Sequence, residues 1–184
     1  MSNSDSRKRA ATLRHSQIRA KAPPLAGIDG YGPRFVADVM LGRLAKWLRI
    51  AGFDVLYSNR FTDDELVELS RTEGRILLSR DTRLLVRKVV RQFVFLESDN
   101  IRDQIKQVFV IAGVRNLPRI LTRCLSCNDP LNEVTRESVR NRVPPYVFET
   151  QTRFKSCPKC HKIYWAGTHR QSVVRTLEAL ITGA

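Results

Sequence analysis

The run Arg34-Phe-Val-Ala-Asp-Val-Met-Leu-Gly-Arg-Leu-Ala-Lys-Trp-Leu-Arg-Ile-Ala-Gly-Phe-Asp-Val-Leu-Tyr57 decides the fold. Its first residues, Arg34 to Asp38, are short and apolar, as a buried strand is. From Val39 to Ala51 the side chains Leu41, Leu44, Ala45 and Leu48 keep the i, i+3, i+4, i+7 spacing of one helix face. Gly52 suits the position just past a helix, where the backbone turns left-handed. Phe53 to Tyr57 then reads as a second strand. A strand, a helix and a strand in so short a span form the unit of a parallel sheet with right-handed crossovers.

The pattern continues. Thr62-Asp-Asp-Glu65 is a capping box opening a helix with Leu66, Leu69 and Ser70 inward, and Gly74 stops it. Ile76 to Ser79 is a third strand, followed by Arg80-Asp81 and a basic helix from Thr82 to Arg91. Phe93 to Leu96 is a fourth strand ending before Ser98-Asp99. The next helix aligns Ile101, Ile105, Val108, Phe109 and Ala112 on one face. Alternation of this kind predicts an α/β fold with a short parallel sheet over residues 34–117.

All four cysteines fall into two C-x-x-C pairs, Cys124/Cys127 and Cys157/Cys160, with 29 residues between the pairs. Each pair presents two thiolates, and two pairs complete a closed four-cysteine zinc site. Two disulfides, four buried thiols or a redox pair are the other readings of such spacing. Residues 118–184 are therefore read as a zinc ribbon with a terminal helix. Within it Tyr146 to Phe148, after Val143-Pro-Pro145, is expected as an aromatic strand, and Ile163 to Trp165 as the returning strand. Gly167 precedes the helix from Arg170 to Ile181, and His161 is taken as an exposed surface residue rather than a ligand.

The net charge of +14 points first to a polyanionic partner. No run approaches the ~18 apolar residues of a membrane span. Residues 1–33 are basic, poor in acids and closed by Pro and Gly, which predicts a disordered basic tail rather than a transit peptide. Paired cysteines suit a reducing, cytoplasmic setting.

Chemistry is sought at the strand ends. Asp38, Asp81 and Asp99 each follow a strand, and all carboxyl ends of a parallel sheet share one edge, where open α/β folds bind ligands. Asp63 and Asp64 open a helix near that edge. Crowded carboxylates are costly without a hard cation, so Mg²⁺ or Mn²⁺ is expected there. Helix capping is the competing role for Asp81 and Asp99, and the helix dipole for Asp63 and Asp64. Arg43, Lys46 and Arg49 share a helix face beside Trp47, and Arg80 joins a second basic set; both can track a phosphate backbone. In the cysteine module Lys155 and Lys159, with Phe154, Tyr164 and Trp165, can hold unpaired bases by charge and stacking.

Those residues also resemble a known family. Asp38-Val-Met, Leu41-Gly-Arg-Leu-Ala-Lys-Trp-Leu-Arg49, Gly52-Phe-Asp-Val55, Asp63-Asp-Glu-Leu66, Leu78-Ser-Arg-Asp81, both C-x-x-C turns, Val143-Pro-Pro145 and Tyr164-Trp165 are similar to the mut-seven C-terminal RNase family. The resemblance spans about Arg34 to His169. It implies a PIN-like, three-layer nuclease domain joined to a zinc ribbon. It further implies a Mg²⁺- or Mn²⁺-dependent ribonuclease with ligands at Asp38, Asp64 (or Asp63) and Asp81, and a fourth acid near Asp99. Ser79 stands where such families often carry Thr. RNA is the expected partner, and the rival functions are RNA binding without cleavage and a protein-interaction scaffold.

Overall fold

Four parallel strands carry the first half of the chain. In the computed structural model, which describes residues 32–114, 117, 119–167 and 169–182, these are β1 (Arg34–Ala37), β2 (Asp54–Tyr57), β3 (Ile76–Ser79) and β4 (Phe93–Phe95). Their order is β2-β1-β3-β4, all parallel. Ala37 lies opposite Tyr57 and Leu78, and Ser79 opposite Phe95. The expected basic tail lies almost wholly outside the described residues.

Both sheet faces are covered, which is why these strands read as apolar runs rather than alternations. Phe35, Ala37, Ile76 and Leu78 pack on one side against α1 (Gly42–Ile50) and α4 (Ile101–Ile111). Val36, Leu77 and Phe93 pack on the other against α2 (Asp63–Glu73) and α3 (Thr82–Leu85). The result is three layers.

Two glycines permit close approach. A Cβ at Gly42 would lie 2.6 Å from the Tyr57 hydroxyl, which donates to the Val39 carbonyl. Gly52 has φ +98°, and a Cβ there would collide with the Arg119 carbonyl. The chain leaving α1 thus passes directly against the start of the cysteine module.

That module holds an antiparallel sheet in the order β5-β6-β7: β5 (Asn132–Val134), β6 (Phe154–Ser156) and β7 (Ile163–Trp165). Tyr146 to Phe148, expected as a strand, is instead part of α5 (Pro145–Thr150). Pro145 at the first helical position has its φ already fixed for a helix, and the Phe148 N–H donates to the Pro144 carbonyl at 3.0 Å. Val147 and Phe148 pack against Val139, Val143 and Phe154 while Tyr146 points outward. The basic helix expected over residues 82–91 also stops early, at Leu85. Val86, Val89 and Val90 follow it, and β-branched side chains lose rotamer freedom in a helix.

After β7 the chain forms α6 (His169–Thr182), which returns to α4. Leu177 is fully buried there, in the same core as Phe35 and Phe109. Among the described residues, no helix is long and apolar enough to cross a membrane.

Candidate functional site

The two C-x-x-C turns meet. All four sulfurs lie within 4.8 Å of one another, and none is in a disulfide. Cys124 Sγ is 3.6 Å from Cys160 Sγ, close to the roughly 3.8 Å that a tetrahedral zinc with ~2.3 Å bonds would impose. The Cys127 N–H approaches Cys124 Sγ at 3.3 Å and the Cys160 N–H approaches Cys157 Sγ at 3.5 Å. Asn128 and His161, the residues after each pair, take left-handed φ values of 72° and 58°. His161 is exposed. Donor chemistry, spacing and turn geometry all fit a structural zinc.

Electrostatics at this centre are uneven. Burial raises the Cys124 thiol, yet the Tyr164 hydroxyl at 3.2 Å and the N–H groups of Cys127 and Ser126 more than offset it, to about 6. Cys127, hydrogen-bonded to Cys160, is pushed up to about 12. Four crowded sulfurs cannot all ionise without a cation among them.

The centre is keyed to the parallel sheet by two side chains. Arg49 is 4 % exposed. Its Nε and Nη2 donate to the Val55 carbonyl at 3.0 and 2.9 Å, and Nη1 donates to the carbonyls of Leu125 and Ser126 at 3.0 and 3.1 Å. Asn128 accepts from the Val55 N–H at 2.9 Å and donates to Asp54 at 2.8 Å. Edge strand β2 is thereby closed by the cysteine turn. Burial lowers the Arg49 pKa, and the Cys124 and Cys127 thiolates, ahead of Asp54, oppose that shift. Arg49 is thus a correction to the expected basic stripe: Arg43 and Lys46 face solvent, whereas Arg49 turns inward.

The aspartates occupy the opposite end of the sheet. Asp38 is 4 % exposed and its carboxylate does not cap the helical turn that follows. Ser79, fully buried at the end of neighbouring β3, donates its hydroxyl to Asp38 Oδ2 at 2.5 Å. The same Oγ accepts from the Asp81 N–H at 2.9 Å. Asp81 caps α3, accepting from the Arg83 N–H at 2.8 Å. Asp99 is exposed and paired with Arg80. Arg87 reaches Asp64 at 2.6 Å and Asp63 at 3.4 Å. So Asp38 and Asp81 are brought together around Ser79; Arg83 lies 3.6 Å from Asp81, and Asp63, Asp64 and Asp99 meet arginines as well. Among the described residues, the four cysteines are the only group of three or more His, Cys, Asp or Glu whose ligand atoms are close enough to share an ion.

A family model, the Mut7-C RNAse domain, matches residues 33–177. The chain belongs to this family. No curated protein and no solved structure gave a match.

A Mut7-C RNAse domain is by its family nuclease-like or RNA-related, and this one carries its acidic edge and its cysteine centre at opposite ends of one sheet. Sequence reasoning did not find Asn128 as the link between them. Its signal was present, since Asn tolerates the left-handed turn after a C-x-x-C pair, but its hydrogen bonds depend on a strand 73 residues earlier. Of the remaining expected RNA contacts, Lys159 is exposed, whereas Arg80 and Lys155 are half-buried.

Proposed function

We propose that the chain is a Mg²⁺- or Mn²⁺-dependent ribonuclease acting at the Asp38–Ser79–Asp81 edge, with residues 34–117 as the nuclease unit and 118–184 as a zinc ribbon and helix that assist RNA binding. One observation carries this reading. Asp38 is a buried carboxylate with no Lys, Arg or His within ion-pair distance among the described residues. Burying an unpaired charge is expensive, and a hard cation would offset it. Asp54 makes the contrast, because its half-buried carboxylate has Arg75 at 2.6 Å and Asn128.

The donor set suits such an ion, since Mg²⁺ is commonly held by one or two carboxylates, waters and substrate phosphates. Bound there, the ion would supply Lewis-acid charge and a more acidic water. Ser79 orients the Asp38 carboxylate. Asp81 is held by its helix cap. Arg80 and Arg87, now on Asp99 and Asp63/Asp64, neutralise the rim and are placed to exchange those acids for phosphate oxygens. Arg80 Nε is buried without a hydrogen-bond partner, so this guanidinium has donor capacity to spare.

The test uses zinc-loaded protein, single-stranded RNA and either Mg²⁺ or Mn²⁺. Asp38→Asn and Asp81→Asn should each reduce cleavage by more than about a hundredfold, beyond the ten- to hundredfold of an outer-shell partner. Unchanged cleavage in both would sink the reading. RNA binding without cleavage is the second reading, favoured by the arginines that already occupy Asp64 and Asp99. It would hold if wild type bound RNA with a steep salt dependence and cut none.

A further inference from the structure

A cleft of about 230 Å³ opens between the face of the ribbon sheet and the chain leading into the first cysteine turn. Glu133, Lys155 and Tyr164 are cross-strand partners on β5, β6 and β7, so they form one row across its floor. Leu121 and Leu131 make an apolar wall. Arg123, Arg153 and Trp165 complete the lining.

Charge and rigidity both point to one kind of occupant. Three cations face a single acid. Arg153 takes that acid, pairing with Glu133 at 3.0 Å, and Arg123 is 3.6 Å from Asp54. Lys155 is left with no carboxylate within ion-pair distance among the described residues. Tyr164 is fixed by its hydroxyl, which accepts from the Leu125 N–H at 3.1 Å and contacts Cys124 Sγ. Its ring is therefore pre-positioned on the cleft face, whereas Trp165, cross-strand from Phe154, projects from the other face of the ribbon at the cleft's end. The cleft is smaller than the roughly 300–1,000 Å³ of drug-sized sites. That size suits one ring system and not a dinucleotide cofactor.

We infer that this cleft binds one unpaired nucleotide of an RNA strand, with the base between the Tyr164 ring and the Leu121 and Leu131 wall and the phosphate at Lys155 and Arg153. Stacking platforms beside cationic side chains are the general means of holding single strands without sequence preference. The inference rests on the reading of the chain as RNA-directed, but not on cleavage. Because Arg123 reaches Asp54 at the amino end of β2, the cleft and the Asp38 edge lie toward opposite ends of the sheet. A strand engaging both would be held well away from its reacting phosphate.

Full-length, zinc-loaded protein carrying Asp38→Asn should be titrated with labelled oligouridylate and followed by fluorescence anisotropy. Adding Lys155→Glu should weaken binding about tenfold or more and lower the salt slope by about one. Tyr164→Leu should weaken it about tenfold with the salt slope kept. Lys106→Glu, an equal charge change at an exposed position on α4, should cost less than about twofold. Zinc content and circular dichroism establish that each variant is folded. Equal effects of Lys155→Glu and Lys106→Glu would overturn the inference. So would displacement of RNA by oligoglutamate together with normal binding by Tyr164→Leu, which would identify an acidic-peptide site. If Lys155 matters for binding while wild type never cuts, the cleft stands and the nuclease reading falls.

Discussion

Ser79 and Arg49 show how single residues hold the two centres. The Ser79 hydroxyl bonds both Asp38 and the Asp81 backbone. Ser79→Ala would leave the buried carboxylate without that donor and the Asp81 N–H without that acceptor. Cleavage by this variant should fall ten- to hundredfold. Ser79→Thr keeps the hydroxyl and should stay within a few-fold of wild type, so a comparable loss in both would show that volume rather than hydrogen bonding matters there. Arg49 answers to geometry as much as charge. Its fork bridges Val55 on β2 to Leu125 and Ser126 in the cysteine turn, and one ammonium cannot span both. Arg49→Lys should lower the unfolding free energy by roughly 3 kcal/mol, read from urea denaturation with zinc present. A change within experimental error would remove Arg49 from the docking account.

At the scale of elements, the parts fixed by local rules were legible. The alternation of strands and helices in residues 34–117 follows from apolar period, and Thr62 and Glu65 form their capping box as the spacing requires. The cysteine cluster followed from C-x-x-C spacing alone. What escaped depends on partners distant in sequence. Arg49 has the spacing of a surface stripe with Arg43 and Lys46, but the carbonyls of Val55, Leu125 and Ser126 draw it inward. Tyr146 to Phe148 have strand-like composition, and the preceding prolines decided against it. The aspartates illustrate a middle case: their place at strand ends was readable, whereas the arginines holding Asp64 and Asp99 were not. The β2 contact carries its own pH signature. Burial raises the Asp54 pKa, but hydrogen bonds from Arg75 and Asn128, with the charges of Arg75 and Arg123, bring it below the ordinary 3.8. A folded pKa below the unfolded one adds stability that is complete above about 3.8 and shrinks as pH falls through the lower folded value. Asp54→Asn should therefore destabilise the protein at neutral pH and flatten the acid limb of its stability curve. Parallel curves for variant and wild type below pH 4 would contradict that assignment.

For the whole molecule, the chain order ties the two halves into one folding unit. The cysteine module is inserted between α4 and α6, and α6 returns to bury Leu177 beside Phe109. Arg49, Asn128 and Asp54 fasten the module to β2 from the other side. Neither half is closed without its neighbour: β2 would lose the groups that satisfy Val55, and α4 would lose its cover. Structural zinc in small modules contributes roughly 10–16 kcal/mol as folding energy, and zinc held by these four cysteines would act on the sheet through the Arg49 fork. The two tryptophans give one probe on each side, Trp47 on α1 and Trp165 on β7. Single-tryptophan variants, made with Trp165→Phe or Trp47→Phe, should unfold in urea with coincident midpoints while zinc is bound. Chelation should lower both midpoints, although Trp47 lies in the α/β half. Two separated transitions, or a Trp47 midpoint indifferent to zinc, would mean that the ribbon is a passive appendage. Coincidence would give the zinc a structural reach across the sheet to the end that carries Asp38, with no part in the chemistry there, since a closed four-thiolate site keeps no open coordination position.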